Sequence, residues 1–265
     1  MLKLIRLGFI VALLLGVSYY ALVRYIQQIP LQLPDDIYTV TAGSSAASLC
    51  RQWQQQQQLT STNCLALKLY LRLHPAQAGV KQGVYRLSGE QTLLQLLALF
   101  RSGKEAQFAL TLIEGETVQQ SLKRITQARY LTQDLHTAEE VQAMLQWPPE
   151  WGETPVNAEA LLYPDTYYYT ANSSARELVQ RAQHALLNEL AQAWEQRQGD
   201  LPLQTPYQLL ILASIIEKES SYPPEKTMVA SVFVNRLRKN MRLQTDPTVI
   251  YGLENFNGNI TRTDL

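Results

Sequence analysis

The stretch SIIEKESSYPPE, Ser214–Glu225, places Glu217 and Glu219 at the end of the apolar run Leu209–Ile216 (LLILASII). A carboxyl group at the edge of an apolar helix loses hydration. That loss moves it from about 4.3 towards about 6, the range a general acid needs to protonate a glycosidic oxygen. Residues two apart on a helix diverge by about 200°, so Glu217 and Glu219 do not face each other. A two-carboxylate glycosidase needs its groups about 5 to 9.5 Å apart across the scissile bond. This stretch supplies one of them. Glu217 shares a helix face with Leu210 and Ala213, which predicts a desolvated position. Two other readings stay open: a structural ion pair with a basic residue, and emergence into solvent at the helix end.

The helix carrying these residues has its own start signals, Thr205 as cap and Pro206 in the first turn. Its apolar residues lie on every side, which predicts a central helix surrounded by packing. It is too short to cross a membrane. A second helix is expected from about Glu225 to Arg238, with Met228, Val232 and Asn235 on one face. Upstream, a pattern of strand, glycine turn and capped helix occurs at Ile37–Leu49, at Leu110–Leu122 and, more loosely, at Gly83–Leu97. Such β-turn-α units are common in any α+β domain. The run Trp53–Leu59 (WQQQQQL) reads as an exposed helix end. Tyr163–Tyr169 reads as a strand. Ser174 to Glu177 forms a capping-box pattern before a helix to about Gln196, with Val179, Ala182, Leu186, Leu190 and Ala193 as its buried stripe.

The chain has 265 residues, and its 23 basic residues balance its 23 acidic ones. Balanced charge gives no electrostatic case for nucleic acid as a partner. Leu7–Val23 carries no charge; Lys3 and Arg6 precede it and Arg24 follows. These flanks and the lack of a small-x-small cleavage site predict an uncleaved single-pass anchor with a cytoplasmic N-terminus. Residues 1–26 then form the tip and anchor, and 27–37 a polar, proline-bearing linker. Cys50 and Cys64 lie in the exported part, where a disulfide can persist; two separate buried thiols are the alternative. The three histidines are scattered, and no Cys/His spacing suggests a metal. No phosphate-binding glycine loop and no nucleophile elbow occur, so no cofactor is expected.

Five stretches together resemble the endolytic murein transglycosylase (YceG-like) family. They are GVYRL (Gly83–Leu87), LIEGETV (Leu112–Val118), LLYPDTY (Leu161–Tyr167), LASIIEKES (Leu212–Ser220) and VASVFVNRLRKNMRLQTDPTVIYG (Val229–Gly252). The resemblance implies an α+β fold: an N-terminal transmembrane helix, a LysM-like subdomain at 38–108, and a mixed helical catalytic domain at 109–265. It implies an inner-membrane protein facing the periplasm, acting on peptidoglycan glycan strands, with peptidoglycan synthases as possible partners. It implies cleavage between N-acetylmuramic acid and N-acetylglucosamine, leaving a 1,6-anhydro end. Because the sugar's own C6 hydroxyl replaces water, one glutamate suffices; the family's catalytic acid falls on Glu217. Glu219, Asn235, Gln244, Asp246 and Tyr251 match family positions and are candidate sugar contacts. Each has a plain alternative: Asp246 as a helix cap before Pro247, Asn235 satisfying buried backbone, Glu219 paired with Arg236 or Arg238. Ala160 stands where the family has glycine. The family pattern also leads one to expect further catalytic-domain sequence after Leu265, which reads as a C-terminal truncation. A tethered glycan-binding protein without turnover is the alternative function.

Overall fold

A computed structural model describes residues 2–89 and 91–253. The fold is α+β, and the chain divides into two compact units between Gln107 and Phe108. The first begins with α1 (Leu2–Gln27), whose stretch Ile5–Gln27 is long and apolar enough to cross a membrane, with a mean hydropathy of 1.9. Ile26, in the last turn of α1, is fully buried, and Ile29 and Leu31 follow it into the same core. Within the expected linker at 27–37, Ile29 and Leu31 belong to the core, while residues 32 and 34–36 are exposed. Ile29 and Leu31 alternate inward, while Pro30 lies in a short strand, β1 (Pro30–Leu31), that has only one partner strand and tolerates a missing N–H.

The first unit continues through β2 (Ile37–Val40), α2 (Ala46–Gln55), α3 (Ser61–Leu73), β3 (Gly83–Arg86), β4 (Gln91–Thr92) and α4 (Leu93–Ser102). β1 pairs antiparallel with β4, and β2 with β3, Ile37 opposite Arg86. Ser45, Thr60 and Thr92 cap the three helices α2 to α4, each in a reciprocal capping box with Ser48, Asn63 or Gln95. Trp53, Tyr85 and Phe100 fill the core between them. Cys50 of α2 and Cys64 of α3 form a disulfide, Cα atoms 5.7 Å apart, which decides between the two readings of these residues. The glutamines after Trp53 are mostly exposed, as expected.

The second unit holds β5 (Gln107–Thr111), α5 (Val118–Gln127), α6 (Ala138–Ala143), β6 (Thr166–Thr170) and α7 (Ala175–Glu195). β5 pairs with β6, and the Thr111 and Thr166 hydroxyls lie 2.9 Å apart. Ser174 caps α7 by accepting from the Glu177 N–H. Glu177 makes no return bond, so the capping box read from the sequence is not completed; Asp134 accepts from Ser174 Oγ at 2.5 Å and from the Arg176 N–H at 3.0 Å. The hydrogen bond from Ser174, then that from the Arg176 backbone, holds the Asp134 carboxyl below its ordinary range. Val179, Ala182, Leu186 and Leu190 are buried as expected, together with Leu178 and Gln183. Ala193 is exposed; Leu190, one turn earlier, is the last buried residue of α7.

Three helices complete the described chain: α8 (Pro206–Glu219), α9 (Pro223–Arg238) and α10 (Asp246–Gly252). Thr205 caps α8, with Pro206 at its start, as read from the sequence. The expectation of a helix surrounded by packing fails. α8 packs on α7, α9 and α10, yet only Pro206, Tyr207 and Leu212 are buried along it. Its apolar residues lie on all sides while its three neighbours cover part of that circumference, so Ile211 and Ala213 are exposed.

Candidate active site

Glu217 lies in the last turn of α8 with 29% of its side chain exposed. Its Oε2 accepts from Lys226 Nζ at 2.5 Å. The ion pair is thus the environment found among those left open by the sequence. The buried stripe expected beneath it is not there, since Ala213 is exposed and Leu210 only half-buried. Lys226 sits in the first turns of α9, and the sharp turn before it brings it back over Glu217. Ser220 holds that turn, donating to Glu225 Oε2 at 3.1 Å and accepting from the Tyr222 N–H at 3.2 Å.

The loop between β5 and α5 approaches the stem of the same side chain. Gly115 has φ +72°, and a Cβ there would lie 3.6 Å from Glu217 Cγ and 3.5 Å from Lys218 Cδ. That spacing is ordinary contact, so handedness rather than room calls for glycine. Lys218 Nζ donates to the Gly115 carbonyl at 3.2 Å, tying the loop to α8. Glu116, next in the loop, is gripped by Arg124 through Nε and Nη2 at 2.7 to 2.9 Å. That hydrogen bond holds its carboxyl below the ordinary range. The stretches LIEGETV and LASIIEKES therefore meet at Glu217.

Glu219 faces elsewhere, as the helix geometry requires. Its Oε2 accepts from Thr245 Oγ1 at 2.5 Å, at the start of α10. The expected pairing with Arg236 or Arg238 is not made. Arg236 donates to the Leu243 carbonyl, and Arg238 pairs with Asp200 at 2.5 Å. Asp246 is an exposed first-turn residue of α10; the cap position belongs to Thr245, one residue earlier. Gln244 is exposed and left-handed, φ +52°. Tyr251 is exposed along its ring, and its phenol is pushed up by partial burial and then by the charge of Glu159, with Asn157 opposing. Asn235 is exposed and lies in α9 with Met228 and Val232, which are also exposed, so it satisfies no buried backbone. The structure joins Glu217 to Lys226 and Gly115, and Glu219 to Thr245. It gives Asn235, Gln244 and Asp246 no bond to either glutamate.

Three residues that sequence reasoning did not single out now matter. Lys226 was detectable only through the Pro223-Pro224 pair, which breaks the helix and sends the next one back. Thr245 carries no spacing signal of its own, since Asp246 before Pro247 is the stronger helix-start pattern. Glu159 accepts from the Val118 N–H at 3.0 Å, satisfying a first-turn donor of α5. The following residue, Ala160, has φ +60°.

Chemically, the arrangement presents one carboxylate between an ammonium and a glycine loop. Such a group can give a proton to a leaving oxygen and take one back. No group of His, Cys, Asp and Glu among the described residues could hold a metal ion.

Comparison with known proteins adds the context. An endolytic murein transglycosylase of Bacillus subtilis is 25% identical over 239 residues, covering 85% of this chain and 65% of that protein. One from Streptococcus pneumoniae is 26% identical over 207 residues, covering 69% of this chain and 37% of the relative. The chain thus spans less than two thirds of the length of these curated relatives. A crystal structure of a YceG-like protein from Listeria monocytogenes is 27% identical, covers 86% of this chain and 78% of its own, and superposes with a TM-score of 0.48. The YceG-like family profile matches residues 38–265, and the chain belongs to that family.

Proposed function

We propose that the protein is a membrane-anchored endolytic murein transglycosylase. The observation that carries this reading is the convergence at Glu217: the end of α8, the glycine loop before α5 and Lys226 of α9 surround one carboxylate. In the proposed reaction the Glu217 carboxyl gives its proton to the oxygen linking muramic acid C1 to the next sugar, and that C1–O bond breaks. The muramic C6 oxygen then bonds to C1, and its hydroxyl proton passes to Glu217, which restores the acid. No water is consumed. An intramolecular hydroxyl has a high effective concentration, so a second carboxylate is not needed to activate it. Glu219 supports this division of labour, since it binds Thr245 and steadies α10.

Around this centre, Tyr251, Gln244, Asp246 and Asn235 are exposed side chains on α9, α10 and the turn between them, suited to sugar contacts. The stretch 38–108 acts as a LysM-like module that holds glycan or orients the catalytic part at 109–265. Helix α1 anchors the chain in the inner membrane with its N-terminus in the cytoplasm and the rest in the periplasm. Its basic flank supports that orientation, and the disulfide supports an oxidising compartment. Glycan strands are the substrate, and peptidoglycan synthases are possible partners.

General acid–base help is worth about 10²- to 10⁴-fold, or roughly 3 to 5.5 kcal/mol of barrier. Glu217→Gln keeps the shape but transfers no proton. We expect it to lose at least that factor in release of anhydro-ended fragments from purified glycan strands, while still binding them. Glu219→Gln should lose less. Reducing-end products would show that water attacks instead. Binding by the wild type without any cleavage would favour the tethered glycan-binding alternative.

A further inference from the structure

We propose that Lys226 is a positioning residue for Glu217, an inference that rests on the transglycosylase reading above. The pair spans two helices: Nζ of α9 meets Oε2 of α8 at 2.5 Å, with the lysine and glutamate side chains 30% and 29% exposed. Lys226 is itself placed firmly, because the Ser220 bonds to Glu225 and Tyr222 fix the turn before it. Its grip is on Oε2. Among the described residues no hydrogen bond engages Oε1, so the pair leaves one defined oxygen to meet the scissile bond.

The surroundings sort the other charges away from this role. Lys218, next to Glu217 in α8, is drawn to the Gly115 carbonyl. Glu116 of the loop is held by Arg124, and Glu219 by Thr245. Glu225 of α9 accepts from Ser220. Lys226 is the cation in hydrogen-bond contact with the Glu217 carboxylate. During the reaction Glu217 is a carboxylate between giving its proton to the leaving oxygen and receiving the C6 hydroxyl proton. An ammonium on Oε2 stabilises that stage and keeps Oε1 in line for both transfers. No proton moves to or from Lys226.

The test uses the full chain in detergent with uncrosslinked glycan strands, comparing wild type, Glu217→Gln, Lys226→Met and Lys226→Arg. Lys226→Met should lose about 10- to 100-fold in kcat with KM changed less than about threefold, and Lys226→Arg should recover most of the loss. Each side chain keeps about 30% of its surface open to solvent, so the pair is screened and the melting midpoint of Lys226→Met should stay near that of the wild type. A Lys226→Met protein as fast as or faster than wild type overturns the inference and leaves the proposed function standing. A slow Lys226→Met protein that Lys226→Arg does not rescue overturns it as well. A wild type that cleaves nothing overturns the proposed function, and this inference falls with it.

Discussion

The first unit and the α8–α10 group are built on opposite plans. In the first unit, Trp53, Tyr85 and Phe100 are fully buried, capping boxes close the ends of α2 to α4, and a disulfide ties α2 to α3. In α8–α10, few residues are buried, and none belongs to either of the two core clusters. Yet the candidate chemistry is in that sparse group. On the function proposed above, the carboxylate must touch a polymer and so has to lie near solvent, which leaves the helix that carries it partly uncovered. The stiffness of the site comes from polar ties instead: Lys218 to Gly115, Lys226 to Glu217 and Thr245 to Glu219.

The contrast can be broken by truncating one large apolar side chain in each region. Phe100 stacks on Tyr38 at 5.5 Å between ring centroids and meets Tyr85 at 4.9 Å. Removing its ring should cost about 3 to 5 kcal/mol. Met228 on α9 is 71% exposed, and Met228→Ala should stay within about 0.5 kcal/mol of the wild type. Chemical denaturation of both variants measures the difference. Comparable losses would mean that Met228 packs as a core residue does, which would undo the comparison.

The disulfide is next in size. Cys50 and Cys64 are 14 residues apart, and closing a loop of that length removes chain entropy worth about 3 kcal/mol. The double substitution Cys50→Ala, Cys64→Ala should lower stability by about that amount, and a reducing agent should do the same to the wild type. Cleavage by the folded protein should be unchanged, because neither cysteine belongs to the second unit. A loss of activity at temperatures where the variant stays folded would tie the first unit directly to turnover.

Local signals were the legible part of this sequence. Ser174 and Thr205 cap helices where the pattern put them, and the three strand-turn-helix stretches do carry capped helices, because a cap depends on residues within one turn. The separation of Glu217 from Glu219 was legible for the same reason. What failed was environment. Ile29 and Leu31 looked like linker residues, since their partners Leu93 and Gln91 lie some sixty positions away in sequence. The apolar run Leu209–Ile216 looked central, since composition does not reveal how many neighbours a helix has. The Lys226 contact needed the angle of a turn, which no pairwise spacing encodes.

The smallest effect concerns backbone strain, and here too the two units differ. In the first, the positive-φ positions are filled by Gly43, Gly83, Gly89 and Gly103, with Gln57 the exception among described residues. In the second, Tyr130, Ala160, Asn172, Asn240 and Gln244 occupy such positions beside Gly115 and Gly152. Ala160 is the informative one. It follows Glu159, whose carboxylate accepts from the Val118 N–H, and it has φ +60° without a side chain able to compensate through its own hydrogen bond. A left-handed non-glycine residue costs about 1 to 2 kcal/mol. Glycine removes that cost but loosens the unfolded chain by about 0.4 to 1 kcal/mol. Ala160→Gly should therefore stabilise the protein by about 0.5 to 1 kcal/mol, a rise of roughly 1 to 4 °C in the melting midpoint. Ala160→Val should do the reverse, since a branched side chain suits this backbone least. An unchanged or lower midpoint for the glycine variant would mean that the Ala160 methyl group packs well enough to offset its strain.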